Sequence, residues 1–131
     1  MLTPEDYFGR VLHVEAPSDH VKENAADLID RVNSLLADCV LIEAAMNPTV
    51  NSGWRPAAYN ATIANAAPKS RHITGEAIDL ADPDGDLDDF LFNNPQVLSR
   101  HALWMEHPLA MKGWCHLQSV APRSGNRIFF P

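Results

Sequence analysis

The fold is decided by residues 70–79, which read SRHITGEAID. His72 and Asp79 stand seven residues apart with Gly75 between them, and glycine permits a tight turn that brings the His72 loop back over the start of a strand. The residues after Gly75 alternate in polarity, so Asp79 lies on one face of the predicted strand and Ile78 on the other. We therefore expect the Ile78 face to enter the core and the Asp79 face to line a cleft.

A second alternating stretch, WCHLQ at residues 114–118, offers a partner strand. Its alternation puts His116 and Gln118 on one face, so two neighbouring strands would present Asp79 and His116 side by side. Together with His72, this gives two imidazoles and one carboxylate, which with an open position form a catalytic zinc arrangement. The chain has six histidines, and on spacing alone a strand histidine is equally compatible with an ordinary core or surface position.

The first third of the chain is predicted to be helical. Thr3, followed by proline and two acidic residues, starts a short helix. Ser18 opens a long helix, in which apolar residues recur at helical spacing from position 21 to position 39. We expect this helix to break near Asp38, and we expect a further short helix over residues 59–67.

The remainder of the chain is predicted to be mixed. Strands are expected at 49–52, 76–80, 103–106 and 114–118, and short helices at 87–92 and 94–101. Asp82 falls beyond the second strand, in a predicted turn. Helices first and strands later indicate an α+β domain, with N-terminal helices packed on a small antiparallel sheet that carries the metal site. At 131 residues the chain is expected to form one domain, 1–131.

Composition and charge exclude several classes of function. The chain is 46% hydrophobic and 21% charged, as is usual for a soluble globular protein. Its formal net charge of -7 argues against a nucleic-acid partner or an anionic membrane surface, since both select basic patches. No apolar run is long enough to span a membrane, and the N-terminus lacks the pattern of a signal peptide. We therefore expect a product made as a soluble cytoplasmic protein. Cys39 and Cys115 are expected to be buried free thiols.

Several motifs between residues 49 and 118 resemble those of one enzyme family. In chain order they are Ser52-Gly53-Trp54-Arg55-Pro56, Tyr59-Asn60, Ser70-x-His72-x-x-Gly75-x-Ala77-x-Asp79 and Trp114-x-His116. They resemble the D-alanyl-D-alanine carboxypeptidase and endolysin family of zinc peptidases, which shares its fold with the hedgehog signalling domain. The resemblance implies Zn²⁺ as cofactor, held by His72, Asp79 and His116.

The resemblance also implies roles for residues around the metal. Arg55 would contact the substrate or the oxyanion, and Ser70 and Tyr59 are assigned to substrate binding. The sequence departs from the family at Gly113, where many members carry the catalytic Glu. Glu106 is the nearest upstream acid, and a hairpin would place it beside His116, so we assign Glu106 as the general base.

These assignments imply a zinc-dependent peptidase that hydrolyses amide bonds in bacterial peptidoglycan peptides, as a carboxypeptidase or an endopeptidase of the endolysin kind. Such a protein would act as a monomer on the cell wall, after release or as part of a phage particle, with neither nucleic acid nor membrane as partner. The glycine at position 113 leaves an alternative open: a catalytically inactive, zinc-containing binding or phage structural domain.

Several other histidines and aromatic residues are expected to have structural positions and no role in catalysis. His13, His20 and His101 have no motif partner and are expected at the surface. Four aromatic residues near the predicted strands are expected either to line the cleft or to join the core; they are Trp54, Tyr59, Trp104 and Trp114.

Overall fold

The computed structural model of the chain describes residues 1–9, 11, 15–42 and 47–131. The helices are α1 (Pro4–Phe8), α2 (Asp19–Ile42), α3 (Ala57–Asn60), α4 (Asp86–Asn93) and α5 (Pro95–Arg100). The strands are β1 (Val50–Ser52), β2 (Ala77–Asp82), β3 (Trp104–Glu106), β4 (Gly113–Gln118) and β5 (Ile128–Phe129). A 3₁₀ turn, Pro108–Ala110, connects β3 to β4. The predicted α+β class is confirmed.

The two N-terminal helices begin where the sequence predicts. In α1, Thr3 and Asp6 form a capping box, in which Thr3 Oγ1 accepts the Asp6 backbone N–H at 3.2 Å and Asp6 accepts the Thr3 N–H at 2.8 Å. In α2, Ser18 Oγ accepts the Val21 N–H at 3.2 Å. These bonds satisfy backbone donors that the first helical turn leaves free.

The predicted break near Asp38 is wrong, because α2 continues through Ile42. Residues 19–42 contain neither glycine nor proline, so nothing in this stretch interrupts the helical hydrogen bonds. Asp38 instead turns outward and accepts a hydrogen bond from Arg100, and it also pairs with His101. His101 is therefore not the unpartnered surface residue that we expected. His20 is exposed as predicted, and His13 lies outside the described residues.

The core lies between α2 and one face of the sheet. The fully buried residues that α2 contributes are Ala25, Leu28, Val32, Leu35 and Cys39. The sheet contributes Ile78, Leu80, Met105, Cys115 and Leu117, each also fully buried. Full burial of a valine, leucine, isoleucine or methionine side chain stabilises the fold by about 1.5–3 kcal/mol. The predicted apolar faces of β2 and β4 lie in the core, and the predicted burial of both thiols is confirmed.

The sheet has the strand order β1-β2-β4-β3-β5. The first three contacts are antiparallel, but β5 pairs parallel to β3, so the expectation of an antiparallel sheet is wrong at this edge. After β4 the chain turns back and enters on the outer side of β3, which gives β5 the direction of β3. This strand is only two residues long and shows no alternation for a sequence pattern to detect.

Two further predictions need correction. The helix expected over 59–67 is limited to α3, and turns follow it. Asn60 Nδ2 donates to Ala67 O at 2.8 Å and so closes the loop that these turns form. Asp82 belongs to β2 and is buried, instead of lying in the turn. Its carboxylate accepts the backbone N–H groups of Leu87 and Asp88 at 3.1 and 2.9 Å, and so it anchors the start of α4.

Candidate metal centre

The site is built on a row of side chains across the polar face of the sheet. The register pairs Ser52 with Asp79 and Asp79 with His116. In the β3–β4 hairpin Met105 pairs with Leu117, and the same register brings Glu106 opposite His116. Because directly opposed residues in antiparallel strands project their side chains to the same side, Ser52, Asp79, His116 and Glu106 all face the cleft.

His72 reaches this row from the turn before β2. Gly75 closes the turn with a φ of +78°, and a Cβ added there would lie 2.8 Å from Val21 O in α2, so a larger residue does not fit. His72 is 3% exposed, and its backbone N–H donates to Ser70 Oγ at 3.2 Å. The predicted return of the His72 loop over the strand is confirmed.

The segment after β1 locks the His72 loop in place. Arg55 N donates to His72 O at 3.0 Å, and Trp54 Nε1 donates to Ile73 O at 3.0 Å. Gly53 leaves no room for a side chain, since an added Cβ would lie 1.8 Å from Tyr7 O of α1. The Ser-Gly-Trp-Arg stretch therefore binds the His72 loop through a backbone N–H group and an indole N–H group.

Hydrogen bonds set the tautomer of each imidazole. His72 Nδ1 lies 2.8 Å from Gly53 O, which can only accept, so Nδ1 carries the proton and Nε2 presents a lone pair. Gln118 Nε2 donates to Val120 O at 2.7 Å, which turns Gln118 Oε1 toward His116 Nε2 at 2.9 Å. Nε2 of His116 is therefore the donor, and its Nδ1 presents a lone pair.

Both lone pairs point at the same carboxylate. His72 Nε2 lies 3.3 Å from Asp79 Oδ2, and His116 Nδ1 lies 2.8 Å from Asp79 Oδ1. Neutral imidazole lone pairs facing a carboxylate repel unless a cation or a proton lies between them. The three ligand atoms all lie within 4.8 Å of one another, and all three residues are buried. This donor set fits a cation, so His72, Asp79 and His116 could hold a metal ion.

The pKa values agree with a site that attracts positive charge. Burial alone would raise the pKa of the Asp79 carboxyl, but when His116 and His72 also carry a proton on the nitrogen that faces Asp79, their hydrogen bonds and positive charge outweigh burial and hold that pKa well below its usual range. Burial would lower the pKa of His116, but its hydrogen bond to Asp79 and the charge of that carboxylate raise it. A metal ion at this position would take the place of a proton.

The Arg55 side chain is held in the site by three hydrogen bonds. Its Nε donates to Ser52 Oγ at 2.9 Å, one terminal nitrogen to Asn60 Oδ1 at 3.4 Å and the other to Asp79 Oδ2 at 3.1 Å. The Arg55 side chain is 13% exposed and that of Asp79 6%. Arg55 thus fixes the position of Asp79 Oδ2, a contact that the sequence did not predict.

A cleft of about 700 Å³ opens above the candidate metal centre. Ser70, Tyr59, Arg55 and Glu106, which the sequence singled out, all line it together with the three candidate ligands. Glu106 is half-buried, and this burial raises the pKa of its carboxyl, while the charge of His116 opposes the shift. These residues, selected from the sequence, therefore lie together at one cleft, and their roles there stay predictions.

The structure also shows where the remaining candidates lie. Trp114 lines the cleft, whereas Trp54 is part of the core and Trp104 lies under the Arg127 guanidinium, 4.3 Å from ring centre to Cζ. Gln118 and Asn60 were not assigned a role, although each orients a site residue. Gln118 shares the His116 face and Asn60 follows Tyr59 in the motif. The sequence therefore indicated where both residues lie, but it did not predict their hydrogen bonds.

Comparison of the chain with models of known protein families, with curated proteins and with solved structures gives no match. Among the described residues, no helix has the length and apolar character needed to cross a membrane.

Proposed function

We propose that this protein is a zinc-dependent peptidase that hydrolyses amide bonds in the peptides of bacterial peptidoglycan. The observation that carries the proposal is the convergence of two imidazole lone pairs on the Asp79 carboxylate, in the floor of a cleft that Glu106 also lines. The resemblance of residues 49–118 to the D-alanyl-D-alanine carboxypeptidase and endolysin family supplies the substrate class.

Zinc is the metal that this donor set favours. Two imidazoles and one carboxylate with room for a further ligand are typical of catalytic zinc sites in peptidases. A zinc ion held by His72, Asp79 and His116 would supply Lewis acidity toward a carbonyl group and lower the pKa of a water. The hydrogen bonds from His72 to Gly53 and from His116 to Gln118 orient both ligands, as outer partners do in zinc sites.

Glu106 is the residue that we propose moves the proton. It faces the cleft from the strand beside His116, and burial raises the pKa of its carboxyl above the usual value. It would accept a proton from the attacking water and deliver it to the leaving amine. Ser70 and Tyr59 line the walls and are proposed to hold the peptide.

Arg55 is proposed to act mainly through Asp79. Its bond to Asp79 Oδ2 orients that carboxylate, and the guanidinium also places positive charge in the cleft, where negative charge develops on the substrate. This role combines the contact in the structure with the function that the family resemblance implies.

A second candidate function is a zinc-containing binding or phage structural domain without catalysis. The observation that favours it is Gly113, which lies at the usual position of the family's catalytic Glu and has no side chain. The presence of Glu106 in the cleft supports the enzymatic proposal over this one.

The proposal is tested with purified peptidoglycan fragments and mass spectrometry. Protein loaded with zinc should cut peptide bonds, protein stripped with a chelator should not, and adding zinc back should restore cutting. If zinc-loaded protein leaves all fragments intact while still binding them, the non-catalytic function is correct and the peptidase proposal is wrong.

A further inference from the structure

One side of the cleft is a single loop. The turns that follow α3 supply a continuous run of lining residues, from Ile63 to Ala67, which we call the loop wall. Among the hydrogen bonds that the described residues form, those of the loop wall stay between positions 60 and 70, and none reaches the sheet. The position of the loop wall therefore depends on the residue that closes the loop.

Asn60 closes the loop, and its side-chain amide also reaches Arg55. Asn60 Nδ2 donates to Ala67 O at 2.8 Å, at one end of the loop wall. Asn60 Oδ1 accepts from a terminal nitrogen of Arg55 at 3.4 Å. A planar amide that is bonded at both ends has one orientation, so a shift of the loop wall also moves the acceptor that faces Arg55.

Arg55 carries this connection to the candidate metal centre. Its other terminal nitrogen donates to Asp79 Oδ2 at 3.1 Å, and its Nε donates to Ser52 Oγ at 2.9 Å. A guanidinium is rigid and planar, so a displacement at one nitrogen moves the others with it. Three of its five N–H groups make these bonds, and the remaining two are available to a ligand in the cleft that Arg55 lines.

Asn60 itself is placed to act through its neighbours. It is 3% exposed and does not belong to the cleft lining, so it does not contact a bound peptide. Its two partners, the loop wall and Arg55, both line the cleft. Asn60 is thus the buried link between a surface that a peptide would touch and the side chain that orients a candidate metal ligand.

From these bonds we infer that Asn60 is a positioning residue that couples the loop wall to Arg55, so that a peptide seated against the wall sets the guanidinium and, through it, Asp79. The inference rests on the proposed function, and it describes how substrate binding regulates the same site.

A kinetic double-mutant cycle on zinc-loaded protein with peptidoglycan peptides tests the coupling. Asn60→Ala should raise KM by roughly three- to tenfold, because the loop loses a buried hydrogen bond, and should lower kcat by roughly tenfold, because Arg55 loses a partner. In an Arg55→Ala background, Asn60→Ala should still raise KM but should leave kcat within about twofold.

Two further variants separate a positioning role from a general loss of structure. Asn60→Asp keeps an acceptor for Arg55 and loses the donor to Ala67 O, so it should raise KM and retain more kcat than Asn60→Ala. Thr62→Ala is the matched control, because it removes an exposed hydrogen bond of the same loop, from Thr62 Oγ1 to Tyr59 O at 2.7 Å, and should change neither constant.

Hydrogen exchange of the metal-free protein checks the coupling without catalysis. The backbone N–H groups of Ala66 and Ser70 close turns of the loop at 3.2 and 3.1 Å. Both should exchange faster in Asn60→Ala, and also in Arg55→Ala, because Asn60 then loses its partner in the site. Thr62→Ala should leave their exchange unchanged.

The outcomes are distinguishable. Equal kcat losses from Asn60→Ala with and without Arg55, or unchanged exchange of both N–H groups in Arg55→Ala, would overturn the inference and leave the peptidase proposal standing. If zinc-loaded wild type cuts no peptide, the peptidase proposal fails, and hydrogen exchange alone decides whether Asn60 couples the loop wall to Arg55.

Discussion

Asp79 and His116 are a cross-strand pair whose Oδ1 and Nδ1 atoms lie 2.8 Å apart, although 37 residues separate them in the chain. The pairing of β2 with β4 fixes this distance, and the Gly75 turn adds His72 to the other carboxylate oxygen. Two of the three candidate ligands therefore lie on paired strands at the centre of the sheet, and changes around them should act through a few identifiable bonds.

Replacement of Glu106 by Gln tests the proton-transfer role. Gln keeps the shape of the side chain and removes its basicity, so the variant should fold, bind zinc and lose about a hundredfold or more in turnover. Turnover on peptidoglycan peptides is the measurement. Glu76→Gln is the matched control, because Glu76 accepts a hydrogen bond from Thr74 and lies outside the cleft lining. Near-normal turnover of the Glu106 variant would exclude Glu106 as the base.

Removal of Arg55 tests its hold on Asp79. Arg55→Ala should still bind zinc, but its metal-free form should lose about 3 kcal/mol of unfolding free energy, because a buried carboxylate loses its partner. Turnover should also fall. Urea unfolding measures the first effect. Arg71→Ala is the control, since Arg71 is half-exposed, and its ion pair with Glu76 should be worth less than about 1 kcal/mol. Equal stability losses in the two variants would contradict the assigned contact.

Gln118 should control the tautomer of His116. Gln118→Leu removes the acceptor for Nε2–H, so zinc affinity should fall by roughly 10- to 100-fold, whereas Gln118→Glu keeps an acceptor and should retain most of it. Zinc titration gives the affinity. Nitrogen NMR of the metal-free protein should show a protonated Nε2 on His116 in the wild type, whereas the neutral ring of the Leu variant should hold its proton on Nδ1, toward Asp79. An unchanged spectrum and affinity would remove Gln118 from the site.

Asp88 provides a prediction about pH. Burial raises its pKa to about 6, and its Oδ1 has no hydrogen-bond partner among the described residues. The folded state thus disfavours the charged form, so the contribution of Asp88 to stability is complete below the unfolded pKa of about 4 and is lost as the pH rises through 6.

Asp88→Asn should remove this dependence. The variant should match the wild type near pH 4 and exceed it by about 1–3 kcal/mol above pH 7, in urea unfolding with chelator present. Asp89→Asn is the control, because Asp89 is exposed in the same helical turn. A stability difference that is constant from pH 4 to pH 8 would show that the charge of Asp88 is not its cause.

Strand alternation was sufficient to predict which face carries Asp79 and His116, because one face of each strand had to be apolar. The hairpin that brings Glu106 beside His116 followed from two short strands and an intervening loop. The bonds of Gln118 and Arg55 were not predictable, since each depends on a backbone carbonyl or a side chain brought near by tertiary packing. Asp82 was misplaced because the sequence Asp-Pro-Asp-Gly favours a turn, whereas in the structure Asp82 pairs with Gly113 at the end of β2 and its carboxylate accepts the N–H groups of Leu87 and Asp88.

The central claim, that His72, Asp79 and His116 form a metal centre, is tested most directly by the zinc content of the purified protein. After zinc addition and removal of excess metal, the wild type and His20→Ala, which changes an exposed histidine, should each retain about one zinc ion per chain. His72→Ala, Asp79→Ala and His116→Ala should each retain far less, and the triple variant none. A wild type that stays free of zinc, or a triple variant that keeps its full zinc content, would contradict the account.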